Sequence, residues 1–379
     1  MLSALNESKT QAALDCLLIA DDLTGACDAA VHFAIQGLRT SVCLSPGCET
    51  AGEEVLAIST DSREVEAAAA AALMTSAGSA LPHRSAAILF KKIDSTLRGN
   101  PRSEIAAAVE TFGCQAAVVC PAFPALGRVV EGGRLHIRNT ADFEPIEIIA
   151  RLRAPALEPC VDVQPGAVME ALSLGARLIL LNATCDLDLD QIAGELLALQ
   201  RRVLWVGSAG LASALARRLK KRHPARPSKV RAPMPVLFCV GSDHAATAAQ
   251  QATLLRERRT LLADADRTSH AEIAAALGRR EHVCLRIGWG NPPVERIRKL
   301  IGGLPPAAFL LTGGKTASLV CRAARVQRID LDDEIVAGIP RGVLRGGELE
   351  SVAVATKSGA FGNTDAFLQI AGFFSCQNV

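Results

Sequence analysis

An apolar run, Leu14 to Ala20, passes without a break into Asp21-Asp22-Leu23-Thr24-Gly25-Ala26: two carboxylates, a hydroxyl and a glycine where helical spacing begins. A strand feeding straight into a helix is the opening unit of an α/β fold. Behind it Cys27, Ala30, Val31 and Ala34 recur at helical spacing, Gly37 marks the stop, and Thr24 is the expected N-cap. In parallel α/β sheets ligands sit outside the carboxyl ends of the strands. Asp21 and Asp22 therefore fall at a ligand-binding rim with helix amides beside them. The competing account is that an acidic pair at such a turn only caps the helix.

The unit recurs. Strands are expected at Leu14–Ala20, Ser41–Leu44, Val55–Ser59, Ala87–Ile93, Ala116–Cys120, Arg177–Asn182 and Val203–Gly207, alternating with Ala-rich helical stretches. A chain of 379 residues is long for one core, which predicts two domains. Between Lys220 and Pro235 six basic residues and several prolines interrupt the pattern, as in a solvated linker. A second series then follows, with strands at Val236–Val240, Leu261–Ala263, Val283–Ile287, Phe309–Leu311 and Val352–Thr356 and helices in Ala245–Arg256, His270–Leu277 and Thr316–Ala324. The expected organisation is two α/β domains with mainly parallel sheets: 14–222, a linker at 223–235, and 236–379.

Composition narrows the function classes. Aromatic residues make up 3% with no Tyr, and the formal charge is only +2, which argues against a base-stacking or basic nucleic-acid surface. The twelve cysteines are scattered, without a Cys-x-x-Cys pair, and read as reduced core thiols. The histidines are too dispersed for a structural zinc site. Residues 1–12 lack a signal-peptide pattern, and no apolar run approaches membrane-spanning length, so a cytoplasmic location is expected.

Charge gathers at further strand ends. Lys91-Lys92-Ile93-Asp94-Ser95-Thr96-Leu97-Arg98-Gly99 precedes Asn100-Pro101, an expected helix start capped by Asn. Thr60-Asp61-Ser62-Arg63 follows another strand. Basic groups there suit a carboxylate, and Asp94 and Ser95 suit hydroxyls, which together describe a pocket for a small polyhydroxylated acid. Solvated loop charges are the plainer account. Cys120-Pro121 to Gly127-Arg128, then Gly132-Gly133, form another turn at the rim or a plain Pro/Gly loop.

In the second half three strands run into small, amide-rich turns: Gly241-Ser242-Asp243-His244, Gly313-Gly314-Lys315-Thr316 and Lys357-Ser358-Gly359-Ala360-Phe361-Gly362. Such amides bind phosphate oxygens, although each turn alone is also a common helix cap. A Walker motif is excluded because Phe309 stands where its first glycine is required.

The Asp-Asp-Leu-Thr-Gly-Ala run, Lys92-Ile93-Asp94-Ser95-Thr96-Leu97-Arg98-Gly99-Asn100 and the closing Lys357 to Gly362 segment resemble the four-carbon acid sugar kinase family, in order and along nearly the whole chain. The resemblance implies a Rossmann-like N-terminal domain for the sugar acid and a C-terminal nucleotide-binding domain, with transfer across the cleft. It implies substrate binding by Asp22, Arg63, Lys92, Asp94 and Ser95, and ATP binding by Ser242, Gly313, Gly314, Lys315, Thr316 and Gly359; Lys357 in the closing motif joins the nucleotide set. Asp21 or Asp22 is the expected catalytic base, and the acid's carboxylate is expected on Arg63, Lys92 or Arg98. ATP and Mg²⁺ are the expected cofactors, with no metal ligand assigned. The expected partners are the sugar acid and ATP, with a homodimer as candidate assembly and neither nucleic acid nor membrane. The long motif is more like that of the D-threonate and D-erythronate kinases than of the 3-oxo-tetronate kinases. Lys315 replaces the family's Glu, and His244 a serine. A non-catalytic sugar-acid sensor is the alternative these departures raise. An aspartyl-phosphatase is disfavoured, since Leu23 and Thr24 stand where Asp-x-Asp needs its second carboxylate.

Overall fold

Fully apolar five-residue runs with no polar alternation form strands buried on both faces, and helices cover them. The computed structural model describes residues 14–45, 48, 52–80, 86–138, 143–219, 234–288 and 293–375. The N-terminal half threads β1 (Cys16–Ala20), α1 (Leu23–Ile35), β2 (Thr40–Cys43), β3 (Val55–Ser59), α2 (Ala67–Ala80), β4 (Ile88–Lys92), α3 (Pro101–Phe112) and β5 (Ala117–Cys120). A small antiparallel sheet follows, β6 (Arg128–Glu131), β7 (Arg134–Ile137) and β8 (Ile146–Glu147). The half ends with α4 (Ile148–Leu152), β9 (Cys160–Val163), α5 (Val168–Ser173), β10 (Leu178–Leu181), α6 (Asp186–Ala198), β11 (Leu204–Gly207) and α7 (Ala209–Arg218).

The C-terminal half contains β12 (Val236–Val240), α8 (Ala245–Glu257), β13 (Thr260–Asp264), α9 (His270–Gly278), β14 (His282–Arg286), α10 (Val294–Ile301), β15 (Ala308–Thr312) and α11 (Gly314–Ala323). A long hairpin, β16 (Arg328–Val336) and β17 (Ile339–Arg345), precedes β18 (Ala353–Lys357) and α12 (Ala366–Ser375). Strands β2-β3-β1-β4-β11-β5-β10-β9 are parallel to one another, as are β13-β14-β12-β15-β18. The α/β class with mainly parallel strands is as expected.

The two sets are one sheet. Strand β18 pairs antiparallel with β17, β17 with β16, and β16 with β2 through Arg328↔Cys43, Ile329↔Val42 and Asp330↔Ser41. The hairpin was not foreseen, because Arg328-Ile329-Asp330-Leu331-Asp332-Asp333-Glu334 carries charge on every second position and reads as solvent-exposed. Its partners explain the charge: Asp330 accepts from Ser41 Oγ (2.8 Å), Arg328 Nε (3.0 Å) and Arg345 Nε (2.6 Å), so side chains from three strands converge on one carboxylate.

Several local expectations are corrected. The N-cap of α1 is Asp22, not Thr24: Asp22 Oδ1 accepts from Gly25 N (2.8 Å), and Thr24 Oγ1 donates to Asp22 Oδ2 (2.9 Å). A carboxylate accepts the helix amide more strongly than a hydroxyl does. Asn100 precedes α3 but makes no side-chain cap; its amide instead donates to the carbonyls of Val65 (2.8 Å) and Ser62 (3.3 Å). Cys43 and Cys48 lie side by side, and the remaining described cysteines are free. Gly132 and Gly133 form the β6–β7 turn, not a plain loop. Most of the expected linker at 223–235, namely 223–233, lies outside the described residues. Among the described residues no helix is long and apolar enough to cross a membrane.

Asp330→Ala removes the carboxylate shared by two guanidinium groups and a hydroxyl at the joint between the halves. It is expected to lower unfolding free energy by about 1–3 kcal/mol in a urea titration. An unchanged midpoint would mean that the backbone ladder alone holds the joint.

Candidate functional site

Strands β1, β3 and β4 end side by side, so the loops after them meet at one rim. Arg63, from the loop after β3, lies between the two aspartates that follow β1. Its Nε and Nη2 donate to Asp21 Oδ2 and Oδ1 (both 2.7 Å), and its Nη1 and Nη2 to Asp22 Oδ2 (2.7 Å) and Oδ1 (2.8 Å). A guanidinium has the planar fork to serve two carboxylates in this way. Burial pushes the Asp21 carboxyl up, but Arg63, with Lys91 and Lys92 behind it, outweighs burial and holds it below the usual range. Backbone strain marks the same rim: Asp61 (φ +52°) and Leu97 (φ +58°) occupy the left-handed region without being glycine.

Beside this knot is an open cleft lined by Asp22, Thr24, Gly25 and Asp28 from α1 and its cap, Arg63, Lys92 and the Asp94–Arg98 loop, Phe123, Arg128, Ser208, and Ser358, Ala360 and Phe361 from the other half. Its walls carry charged and hydroxyl groups, a lining that suits a small, hydroxyl-rich acid. Asp94 is held by Arg98, whose Nη2 (2.7 Å) and Nε (2.9 Å) donate to it, and by the amide of Thr96 (3.0 Å). Burial pushes the Asp94 carboxyl up, yet the bonds from Arg98 and the charge of Arg63 carry it well below the usual range.

Three ionisable groups on the cleft stand apart from these pairs. Lys92, buried, donates to the carbonyl of Ile93 (3.0 Å) and, among the described residues, faces no carboxylate at ion-pair distance. Arg128 donates Nη1 to the carbonyl of Leu126 (3.3 Å), while its Nε is buried without an acceptor and its guanidinium lies 5.9 Å from the ring centroid of Phe361. Asp28, 7% exposed, has an Oδ1 that is buried and accepts no hydrogen bond. Burial pushes its carboxyl up to about 7, against the pull of Lys92.

The C-terminal half presents its turns to the same place. Neighbouring strands β12, β15 and β18 run into turns that hold Ser242, Gly313 and Ser358. Gly313 caps α11 and has no side chain, so no side-chain cap takes the first-turn amides of that ten-residue helix. A Cβ on Gly314 would lie 2.5 Å from Asp22 Oδ2: only glycine lets the α11 start approach the aspartate this closely. Lys357 is fully buried, and its Nζ donates to the carbonyls of Ser358 (2.9 Å), Gly359 (3.0 Å) and Phe361 (2.9 Å). A planar trans peptide sets each following N–H opposite its carbonyl, so the amides of Gly359, Ala360 and Gly362 face away from Lys357. Gln250 Nε2 holds the carbonyls of Phe361, Gly362 and Asn363 from the same side. The result is a loop with its carbonyls tied back and amides turned outward, a form that suits an anion.

The structure brings Asp22, Arg63, Lys92, Asp94, Ser95 and Arg98 to the cleft, and gathers Ser242, Gly313, Gly314 and Gly359 at the adjoining turns. It turns others away. Asp21 does not line the cleft and is 2% exposed, with both oxygens held by Arg63. Lys357 spends its Nζ on the carbonyls of its own loop. Lys315 Nζ pairs with Glu64 (2.5 Å) on the rim, and Thr316 is buried. Asp28 and Arg128 were missed as site residues: Asp28 lies one helical turn beyond Thr24, a spacing that places both on one face, and this signal was available. Among the described residues no group of three or more His, Cys, Asp or Glu is arranged to hold a metal.

Two family models match the chain: a sugar-binding N-terminal domain over residues 16–147 and a nucleotide-binding C-terminal domain over 293–367. A D-threonate kinase of Bordetella bronchiseptica is 32% identical, covering 93% of this chain and 96% of its own length. A D-erythronate kinase of Heliobacterium modesticaldum is 28% identical over 92% and 94%. A crystal structure from Salmonella typhimurium LT2 shares the fold with a TM-score of 0.76 at 21% identity, covering 95% of this chain and 99% of that one.

Arg63→Gln leaves Asp21 and Asp22 buried without their cation and is expected to cost about 3–5 kcal/mol at pH 7. Asp21 is held low in the folded state, so the stability its ionised form contributes exists above its unfolded value of about 4 and is lost as pH falls. The deficit of the variant should therefore shrink on acidification in denaturant titrations; a deficit independent of pH would make the role of Arg63 one of packing.

Proposed function

The chain belongs to the four-carbon acid sugar kinase family, and on that premise we propose that it phosphorylates D-threonate or D-erythronate to the 4-phosphate. That it is an ATP-dependent kinase acting on a sugar acid follows from the family. The choice of acid rests on the long Lys92–Asn100 motif and on the names of its relatives, D-threonate kinase and D-erythronate kinase.

One observation carries the reading: the glycine turn at the start of α11 abuts Asp22, so the phosphate-binding amides and the acid-binding cleft share a wall. Phosphoryl transfer asks for alignment and for stabilisation of charge on the moving group more than for covalent chemistry. The first-turn amides of α11 and the loop held by Lys357 suit the ATP phosphates, with Ser242 between them, and the close approach that glycine permits there fits this use. Mg²⁺ arrives with the nucleotide as counter-charge. Asp22, fixed by Arg63 and by the α1 amide, orients the reacting hydroxyl. Lys92 offers free donors to an anion. Arg98 and Asp94, already paired, hold the rim of the cleft and present Ser95.

A coupled ADP-release assay with Mg-ATP against D-threonate, D-erythronate, L-threonate and 3-oxo-tetronate, with mass spectrometry of the product, is expected to give a 4-phosphate from one of the first two. Binding of the acid without turnover would make the protein a sensor. Gly359→Val places a side chain where a Cβ already lies 2.2 Å from Ser242 Oγ. It is expected to weaken ATP at least about tenfold in a calorimetric titration, equivalent to about 1.4 kcal/mol, while acid binding persists. Unchanged ATP affinity would remove that turn from the nucleotide site.

A further inference from the structure

Seven ionisable side chains line the cleft, and the structure pairs four of them with one another: Arg63 with Asp22, and Arg98 with Asp94. Subtraction leaves Lys92, Asp28 and Arg128. Their order can be read from their neighbours. Lys92 is nearest the α1 start, since a Cβ on Gly25 would lie 3.3 Å from its Nζ and only 2.3 Å from Asp22 Oδ1, and Asp22 abuts the glycine turn of α11. Arg128 is at the other end: it acts on Asp94, Asp28 and Arg98 and rests against Phe361. Asp28 shares the cleft with Lys92 and Arg128 and feels the charge of both.

We propose that Arg128 receives the carboxylate of the sugar acid and that Asp28 takes the proton from the hydroxyl being phosphorylated. This deepens the kinase reading and rests on it. The hydroxyl oxygen bonds to the γ-phosphorus as the bond from that phosphorus to the ADP oxygen breaks, ADP leaves with the electron pair, and the hydroxyl proton passes to Asp28 and then to solvent. Asp21 and Asp22 are poorly suited to that proton, because Arg63 occupies all four of their oxygens. The unsatisfied Nε of Arg128 supplies a fork that no carboxylate fills among the described residues. With the carboxylate at Arg128 and the phosphates beyond Lys92, the reacting hydroxyl is one remote from the carboxylate.

The charged and titratable groups around Asp28 are Asp22 and His32 on α1, Lys92 of β4, Arg128 of β6, Glu334 of β16 and, acting on His32, Arg217 of α7. Burial lowers His32 to about 4, so it stays neutral above that pH. The base must be ionised, so kcat should rise with pH through about 7, where burial has pushed Asp28. A carboxyl raised in the folded state lowers stability as pH rises through the interval between its unfolded and folded values. Asp28→Asn is isosteric and uncharged, and should melt higher than wild type at pH 8.

Steady-state kinetics with Mg-ATP and the acid that turns over best, and with the neutral tetritol of matching configuration, separate the two assignments. Asp28→Asn is expected to lower kcat about 100-fold, to flatten the rise with pH, and to leave both KM values near wild type. A variant retaining kcat within threefold, or retaining the pH limb, overturns the role of Asp28. Arg128→Met is expected to raise the KM of the acid by about 10- to 100-fold with ATP unaffected, and to abolish the preference for acid over tetritol. Arg128→Lys, which keeps the charge and the aliphatic packing but loses the fork, should fall between and serves if Met does not fold. Persistence of the acid preference in both overturns the role of Arg128. Should wild type turn over none of the acids, the kinase reading fails; calorimetric binding of D-threonate to wild type and Arg128→Lys still decides the carboxylate assignment, equal affinities overturning it.

Discussion

A guanidinium wedged between two buried carboxylates holds the site together. Ions taken out of water are tolerated only when paired and hydrogen-bonded, and Arg63 meets that demand for Asp21 and Asp22 at once. Arg63 follows β3 and both of its carboxylates follow β1, so the ion pair fixes the end of β3 against the end of β1. With Asp22 held there, its other contacts follow: it caps α1, receives the Thr24 hydroxyl and meets the bare backbone of Gly314. Residues that stand out in the sequence as chemistry thus serve first as the frame on which the less conspicuous ones are aimed.

Much of this was legible before any coordinates. The parallel strands announce themselves as short continuous apolar runs, and β1, β3, β4, β5 and β11 fall where those runs end in polar loops. The rim residues Asp22, Arg63, Lys92, Asp94 and Ser95 followed from that placement. Pairing did not. Arg63 lies 41 residues from Asp22 in sequence, and nothing local says that its charge is consumed by the protein itself and not offered to a ligand. The same blindness hid Arg128, which pairs with no carboxylate among the described residues, and Asp28, submerged in an alanine-rich helix.

The two departures from the family pattern have local partners. His244 is the N-cap of α8, its Nδ1 accepting from the amide of Ala246 (3.2 Å), the task a serine would perform with a hydroxyl. Lys315 meets Glu64, so a reversed charge on α11 is answered by a carboxylate beside Arg63. Both side chains are half exposed, and pairs of that kind contribute little to stability; what the Lys315–Glu64 pair changes is the sign of the charge displayed where the two halves meet.

The joint between the halves is a strand ladder, with Ile329 opposite Val42 inside a single hydrogen-bonded sheet. Two domains joined by a tether can part and rejoin at little cost, but two domains that share a sheet cannot. Separating them would uncover the backbone donors and acceptors of β2 on one side and of β16 on the other, two raw edges open to pairing with any strand nearby. Expressed as separate fragments, each half would carry one of those edges into solution. The halves are in this sense obligate companions, and the chain is a unit that aggregates if it is divided.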